Sequence, residues 1–345
     1  MKPKLKLGLQ LGYWGSGLPS HVPPAIAEAE HLGFDSIWTA ESYGSDALTP
    51  LAWWGASTTT LRLGTNLAQL SARTPTAMAM AAMTLDHLSG GRVAIGLGVS
   101  GPQVVEGWYG QTFAKPLART REYVDIMRKV FAREAPVTND GPGYPLPLPG
   151  SRFGKPLKPI THPLRTDIPI LLGAEGPKNV ALAAEIADGW FPIFYAPKHD
   201  HIYAGSLAEG FARPGARRAA EDFEVLPLAM VVINDDIEAA ADALRPMLAL
   251  YIGGMGAKEA NFHFDVFVRM GYEAEANTIQ DLYLAGDKKA AIAAVPTQMV
   301  EELALIGPVA KIRDDLAAWH ESRVTTMLLG NFDAPTLRTM AELVL

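Results

Sequence analysis

"AIGLGVSGPQVVEGWYG", residues 94–110, holds Gly96, Gly98 and Gly101 in the spacing G-x-G-x-x-G. In a dinucleotide-binding fold this fingerprint occupies the first strand-to-helix turn, and an acidic residue about 20 positions on closes the next strand. The residues before Gly98 read as a strand, and Pro102 suits the first turn of a helix. Asp125 stands at the required distance but falls inside "ARTREYVDIMRKVF" (118–131), whose apolar residues recur at helical spacing. The acidic strand end is therefore missing, and the glycines must be read from the units around them.

Outward from this stretch the same alternation repeats. "LKLGLQL" (5–11), "FDSIWTA" (34–40) and "LRLGTNL" (61–67) are short apolar runs. Each leads into helical spacing, in "PPAIAEAEHLG" (23–33), "DALTPLAWWGASTTT" (46–60) and "TPTAMAMAAMTLDHLSGG" (74–91). "RVAIGLGV" (92–99) and a helix near 116–133 make the fourth unit, so the glycines end strand four and not strand one. Strands apolar on both faces require a parallel sheet covered by helices.

Residues 135–167, rich in proline and glycine and without period, predict an irregular insertion. The units resume with "IPILLGA" (168–174) and its helix, "WFPIFYA" (190–196) with a helix near 199–220, and "EVLPLAMVVIN" (224–234) with a helix over "IEAAADALRPMLALYIG" (237–253). A helical stretch over 256–307 reads as an inserted cap, and "VTTMLLGNF" (324–332) with "PTLRTMAELVL" (335–345) forms the last unit. Eight units predict one α/β domain over 1–345, a (β/α)8 TIM barrel with insertions after strand four and before strand eight. Its active site is expected where strands end and helices begin.

The composition narrows the function classes. With 48% hydrophobic and 19% charged residues the chain is globular, and a net charge of −7 without a long basic run gives nucleic acid no footprint. The absence of cysteine excludes disulfides, thiolate nucleophiles and cysteine-ligated metals. No apolar run approaches the roughly 18 residues of a membrane span, and the strand pattern begins near the first residue, so no membrane association and a cytoplasmic location are expected. His199 and His201 lack a third ligand at metal spacing, so no metal is expected. Trp53, Trp54 and Trp108 suit an apolar substrate pocket or plain core, and "ARRAAEDFE" (216–224) reads as a solvated helix face.

Two strand ends carry glycine-rich loops that run straight into helices. Gly98, Ser100 and Gly101, and Gly173, Gly176, Pro177 and Lys178, offer backbone N–H groups, helix N-termini and a cation, which suit a phosphate. Glycine that merely permits a tight turn is the other reading of each loop.

"LGTNLAQLSARTPTAMAMAAMTLDHLSGGRVAIGLGVSG" (63–101) with "LLGAEGPKNVALAAEIADGW" (171–190) resembles the luciferase-like flavin and deazaflavin oxidoreductases, and "GVSGPQVVEGW" (98–108) resembles their coenzyme F420-dependent branch. The resemblance implies a TIM barrel that binds F420 at its mouth and moves a hydride between the deazaflavin ring and a small organic substrate. It implies a cis Asn66–Leu67 peptide in a bulge of strand three behind the ring, with Gln69 on the same strand end. It places Ser100, Gly101, Pro102 and Gln103, and Gly173, Ala174, Glu175, Gly176, Pro177 and Lys178, on the loops that carry ribityl and phosphate groups. Glu41 matches an acidic position beside the ring.

Ser42 stands where sugar-phosphate dehydrogenases of this family carry a histidine base, and Gln10 where the methylene-tetrahydromethanopterin reductases carry a glutamate, so neither substrate carries over. Glu41, Tyr13 and Glu106 remain as candidates for the proton-handling residue, each equally suited to hydrogen bonding or packing. A reduced-FMN monooxygenase and a non-enzymatic cofactor-binding barrel are the alternatives, and a homodimer is the expected assembly.

Overall fold

The computed structural model describes residues 4–255, 261–330 and 333–345. β1 (Lys6–Gln10), α1 (Val22–His31), β2 (Ser36–Thr39), α2 (Leu48–Gly55), β3 (Arg62–Gln69), α3 (Pro75–Ser89) and β4 (Val93–Gly98) alternate, followed by α4 (Pro102–Gly107) and α5 (Pro116–Ala132). After an irregular segment come β5 (Ile170–Gly173), α6 (Pro177–Ile186), β6 (Gly189–Phe191), α7 (His201–Phe211), β7 (Glu224–Val225) and β8 (Leu228–Ile233). Helices α8 (Ile237–Asp242), α9 (Arg245–Gly253), α10 (Phe262–Arg269), α11 (Glu273–Leu284), α12 (Lys288–Ala293) and α13 (Thr297–Leu303) precede β9 (Ala304–Gly307). The chain closes with α14 (Val309–Glu321), β10 (Thr326–Leu329) and α15 (Ala334–Val344). Among the described residues no helix is long and apolar enough to cross a membrane.

Local chemistry sets these boundaries. Thr74 accepts a hydrogen bond from the Ala77 N–H at 3.3 Å and Pro75 opens α3, while Gly90, at φ 68°, ends it in the left-handed region that favours glycine. The strands form one parallel α/β sheet in the order β7-β6-β5-β4-β3-β2-β1-β10-β8-β9. β7 and β8, near opposite ends of that order, are separated in the chain by Leu226 and Pro227 alone, so the sheet is curled.

The curl has an inside. Trp38 of β2 and Phe191 of β6 stand four strands apart in the sheet yet meet edge-on with ring centroids 5.1 Å apart. Ala94, Leu171, Leu226 and Leu328 surround them, and Leu67 packs against this cluster. Burying each large apolar side chain of this kind contributes about 1.5–3 kcal/mol. Glycine makes the room: a Cβ at Gly64 would lie 2.1 Å from the Trp38 ring, and one at Gly96 would lie 2.0 Å from the Thr65 carbonyl oxygen. The sheet's outer face and the helices enclose the larger core, including Leu7, Ile37, Ile95, Ile170 and Met327.

Several expected boundaries are corrected. Residues 304–307, expected as helix, form β9 against Met230–Ile233, because "ALIG" is a buried apolar run too short for periodicity to classify. Of the expected cap, 256–260 lie outside the described residues, as do 331–332 of the last strand end. Pro227 has no N–H for the ladder, and the strand expected over 224–234 divides there into β7 and β8. Pro246 in turn divides the expected helix over 237–253 into α8 and α9. α7 ends at Phe211, and "ARRAAEDFE" is an ion-paired segment in which Arg217 and Arg218 reach Asp188 and Glu224 reaches Arg62. Trp54 is core, whereas Trp53 and Trp108 are exposed.

Candidate active site

The end of β3 forms the floor of the mouth. The Asn66–Leu67 peptide is cis, and the β3–β4 register shifts between Thr65 and Ala68. Gln10, from the end of β1, holds Asn66 twice: its Nε2 donates to the Asn66 carbonyl at 2.9 Å and its Oε1 accepts from Asn66 Nδ2 at 2.8 Å. The Leu67 side chain lies where neighbouring strands lack side chains. A Cβ at Gly98 would approach Leu67 Cδ1 to 2.8 Å, and one at Gly173 to 2.2 Å. The three glycines of the opening fingerprint therefore act separately: Gly96 packs β4 on β3, Gly98 admits Leu67, and Gly101 is the N-cap residue of α4.

Two loops rise beside this floor. Ser100 adopts φ 60°, a left-handed conformation uncommon for a residue with a side chain, and hands the chain to Gly101, Pro102 and Gln103 at the start of α4. After β5, the Ala174 carbonyl accepts from Trp190 Nε1 at 2.7 Å, and Gly176 is the N-cap residue of α6. α6 begins with no side-chain cap and no acidic residue in its first turn, Pro177 is its first residue, and Lys178 is exposed beside that terminus. A Cβ on Gly176 would meet nothing within 4 Å. A small cleft, bounded in part by Gly98, Val99, Gly173 and Asn179, lies between these loops.

The proton-handling candidates occupy different surroundings. Glu41 is buried, with both carboxylate oxygens engaged: Arg73 Nη1 donates to them at 2.8 and 3.0 Å, and the Gln69 N–H donates at 2.9 Å. Gln69 in turn is 5% exposed, and its Oε1 is a buried acceptor with no partner among the described residues. Glu106 is exposed and accepts from the Phe113 N–H at 3.1 Å, which ties the loop after α4. Tyr13 has 59% of its surface open, yet desolvation by the surrounding walls raises its phenol above the ordinary value, with Tyr43 adding to the rise.

Sequence reasoning missed the residues that the helices after β8 bring to the same mouth. His263 Nδ1 lies 2.8 Å from Glu175 Oε1, Arg269 donates to the Glu175 carbonyl at 2.8 Å, and the Tyr251 ring lies beside His263. No local pattern marks them, because a helical cap displays the same periodicity whichever residues face the strands. Among the described residues no group of three or more His, Cys, Asp or Glu is placed to hold a metal.

The family model described as luciferase-like monooxygenase matches residues 18–326. A Mycobacterium tuberculosis protein provisionally named a coenzyme F420-dependent oxidoreductase is 58% identical over 347 residues, with 100% of both chains covered. The solved structure of the coenzyme F420-dependent tetrahydromethanopterin reductase of Methanopyrus kandleri superposes with a TM-score of 0.81 at 22% identity, covering 99% of this chain and 98% of that one. An F420-dependent secondary alcohol dehydrogenase, solved with an F420–acetone adduct, superposes at 0.76 with 18% identity, covering 100% and 98%. At these identities the two structures speak for the fold.

Proposed function

The chain belongs to the luciferase-like monooxygenase family, and from that premise we propose that it is a coenzyme F420-dependent oxidoreductase acting on a small organic substrate. The observation that carries this reading is the full-length 58% identity to a relative bearing that name. The mouth fits the cofactor on its own terms. Gln69 Oε1 is a buried acceptor that needs a donor, which a ring N–H supplies. The α6 terminus, uncapped by side chains and flanked by Lys178, suits a phosphate, and the bare Gly176 leaves space for close backbone approach.

In this reading Asn66, Leu67 and Gln69 would hold the deazaflavin ring. Ser100, Gly101, Pro102 and Gln103 hold the ribityl side, and Gly176, Pro177 and Lys178 the phosphate. When bound, the cofactor supplies a two-electron hydride carrier. Glu41, its oxygens engaged by Arg73 and Gln69, holds the ends of β2 and β3 together.

We also read the curled sheet as a (β/α)8 barrel whose seventh strand is β7 and β8 in succession. Support comes from the pairing of β7 with β6 and of β8 with β10 on the two sides of Pro227. The insertions are read at 135–167 and within 256–307.

Fluorescence titration of the purified chain with F420 and with FMN tests the reading, followed by turnover of the bound reduced cofactor. Tighter binding of F420 with hydride transfer is expected. Preferential FMN binding with oxygen consumption supports the monooxygenase alternative, and binding without turnover supports a cofactor carrier.

A further inference from the structure

Several elements converge on Glu175, a residue of the expected cofactor loop, where α10 brings His263 and Arg269 against it. His263, in the first turn of α10, places Nδ1 2.8 Å from Glu175 Oε1, the geometry of an imidazole N–H donating to a carboxylate. Arg269, on the same helix, donates to the Glu175 backbone carbonyl at 2.8 Å, so α10 is fastened to the β5–α6 turn at two points. The imidazole stands edge-on to Tyr251 of α9, centroids 4.9 Å apart, and to Phe194 of the loop after β6, 5.8 Å apart. Its side chain keeps 23% exposure, and no partner for Nε2 occurs among the described residues.

The location is the mouth. Burial raises the Tyr251 hydroxyl, and the two further groups that raise it are Tyr13, from the loop after β1, and Glu175, from the loop after β5. The groups in contact here are Glu175, Tyr251, Phe194 and, through the Glu175 carbonyl, Arg269. A carboxylate on Nδ1 selects the tautomer whose Nε2 is free to exchange a proton. The remaining walls, Tyr251 and Phe194, are aromatic, which suits an uncharged substrate.

Resting on the hydride-transfer reading, we propose that His263 is the acid–base residue of the reaction, that Glu175 is its positioning partner, and that the substrate is an uncharged carbonyl compound or the corresponding alcohol. In reduction, the carbonyl carbon gains the hydride, whose two electrons come from the reduced deazaflavin. The C=O π pair moves onto oxygen, and oxygen takes the proton from His263 Nε2. The neutral imidazole regains a proton from solvent. Alcohol oxidation runs the same steps backwards.

The test uses the full chain, F420, cyclohexanone as the neutral carbonyl probe, and 15N-labelled histidine. Absence of F420 binding by wild type overturns the hydride-transfer reading itself. With binding present, His263→Gln is expected to bind F420 as wild type does while cyclohexanone reduction falls about a hundredfold or more and loses its pH dependence. In the apo protein a downfield His263 Nδ1–H resonance is expected in wild type and absent in Glu175→Gln. Adding cyclohexanone to the F420-bound protein is expected to move the His263 Nε2 resonance, a readout that serves even where turnover is too slow to assay. Wild-type turnover in His263→Gln, or an Nε2 resonance that cyclohexanone leaves in place, overturns the assignment while leaving the cofactor reading intact.

Discussion

Two glycines show how much one absent Cβ means in different surroundings. At Gly96 the added atom would sit 2.0 Å from a backbone oxygen of β3, which cannot swing aside as a side chain can. Overpacking of this kind costs about 1–3 kcal/mol or more, so Gly96→Ala is expected to lower the melting temperature of the apo protein by several degrees. At Gly176 the atom enters open space from an ordinary extended backbone, φ −71° and ψ 146°. Gly176→Val is therefore expected to melt as wild type does while binding F420 about tenfold more weakly or worse, because the side chain occupies the approach to the α6 terminus. Calorimetry and fluorescence titration on both variants check this, and a destabilised Gly176→Val would return that glycine to a turn-forming role. The spacing G-x-G-x-x-G was legible in the sequence, but the separate duties of its members were not, since each depends on what a neighbouring strand places opposite.

The strand–helix alternation of the first half was legible at the scale of elements, because each unit carries its own period. The second half was harder where the deciding partner is distant. β9 reads as part of a helix until β8 is placed beside it, and His263 has no meaning until α10 lies on the β5–α6 turn. The same distance hides Glu302, on α13, which accepts from Lys198 at 2.6 Å, His199 at 2.8 Å, Tyr272 at 2.7 Å and Gln298 at 3.1 Å. Burial alone raises this carboxyl, but its four donors outweigh burial and hold it at about 2, against 4.5 as the ordinary value. A carboxylate with a lowered folded pKa adds stability that is complete above the unfolded value and lost as pH falls through the folded one. Glu302→Gln is accordingly expected to be less stable than wild type at neutral pH, with the difference shrinking between pH 4.5 and about 2. Urea titrations at several pH values measure it, and a pH-independent difference would rule out a titrating latch between the loop after β6 and the helices of the cap.

In the reading proposed above, the two ends of the curled parallel sheet do different work, with the chemistry where strands end. Asp188, just before β6, is 2% exposed at the opposite end from the mouth. Its carboxylate meets Arg128 at 2.5 Å, Arg218 at 2.7 Å and Arg217 at 3.2 Å, and accepts the Ile170 N–H at 2.8 Å. Burial pushes the Asp188 carboxyl up, but Arg128, the Ile170 N–H and Arg217 together hold it below the ordinary value. One residue thus joins α5, the start of β5 and the segment before β7, and none of its partners reaches the mouth. Removing one member of a buried ion pair typically costs about 3–5 kcal/mol, and the loss here belongs near the lower figure because the three arginines keep access to water. Asp188→Ala is expected to lower the apo melting temperature sharply yet bind F420 with wild-type affinity at temperatures where it is folded, the reverse of Gly176→Val. Melting curves and F420 titrations on the two variants together decide the matter. Weakened F420 binding in folded Asp188→Ala would mean that the two ends of the sheet are coupled.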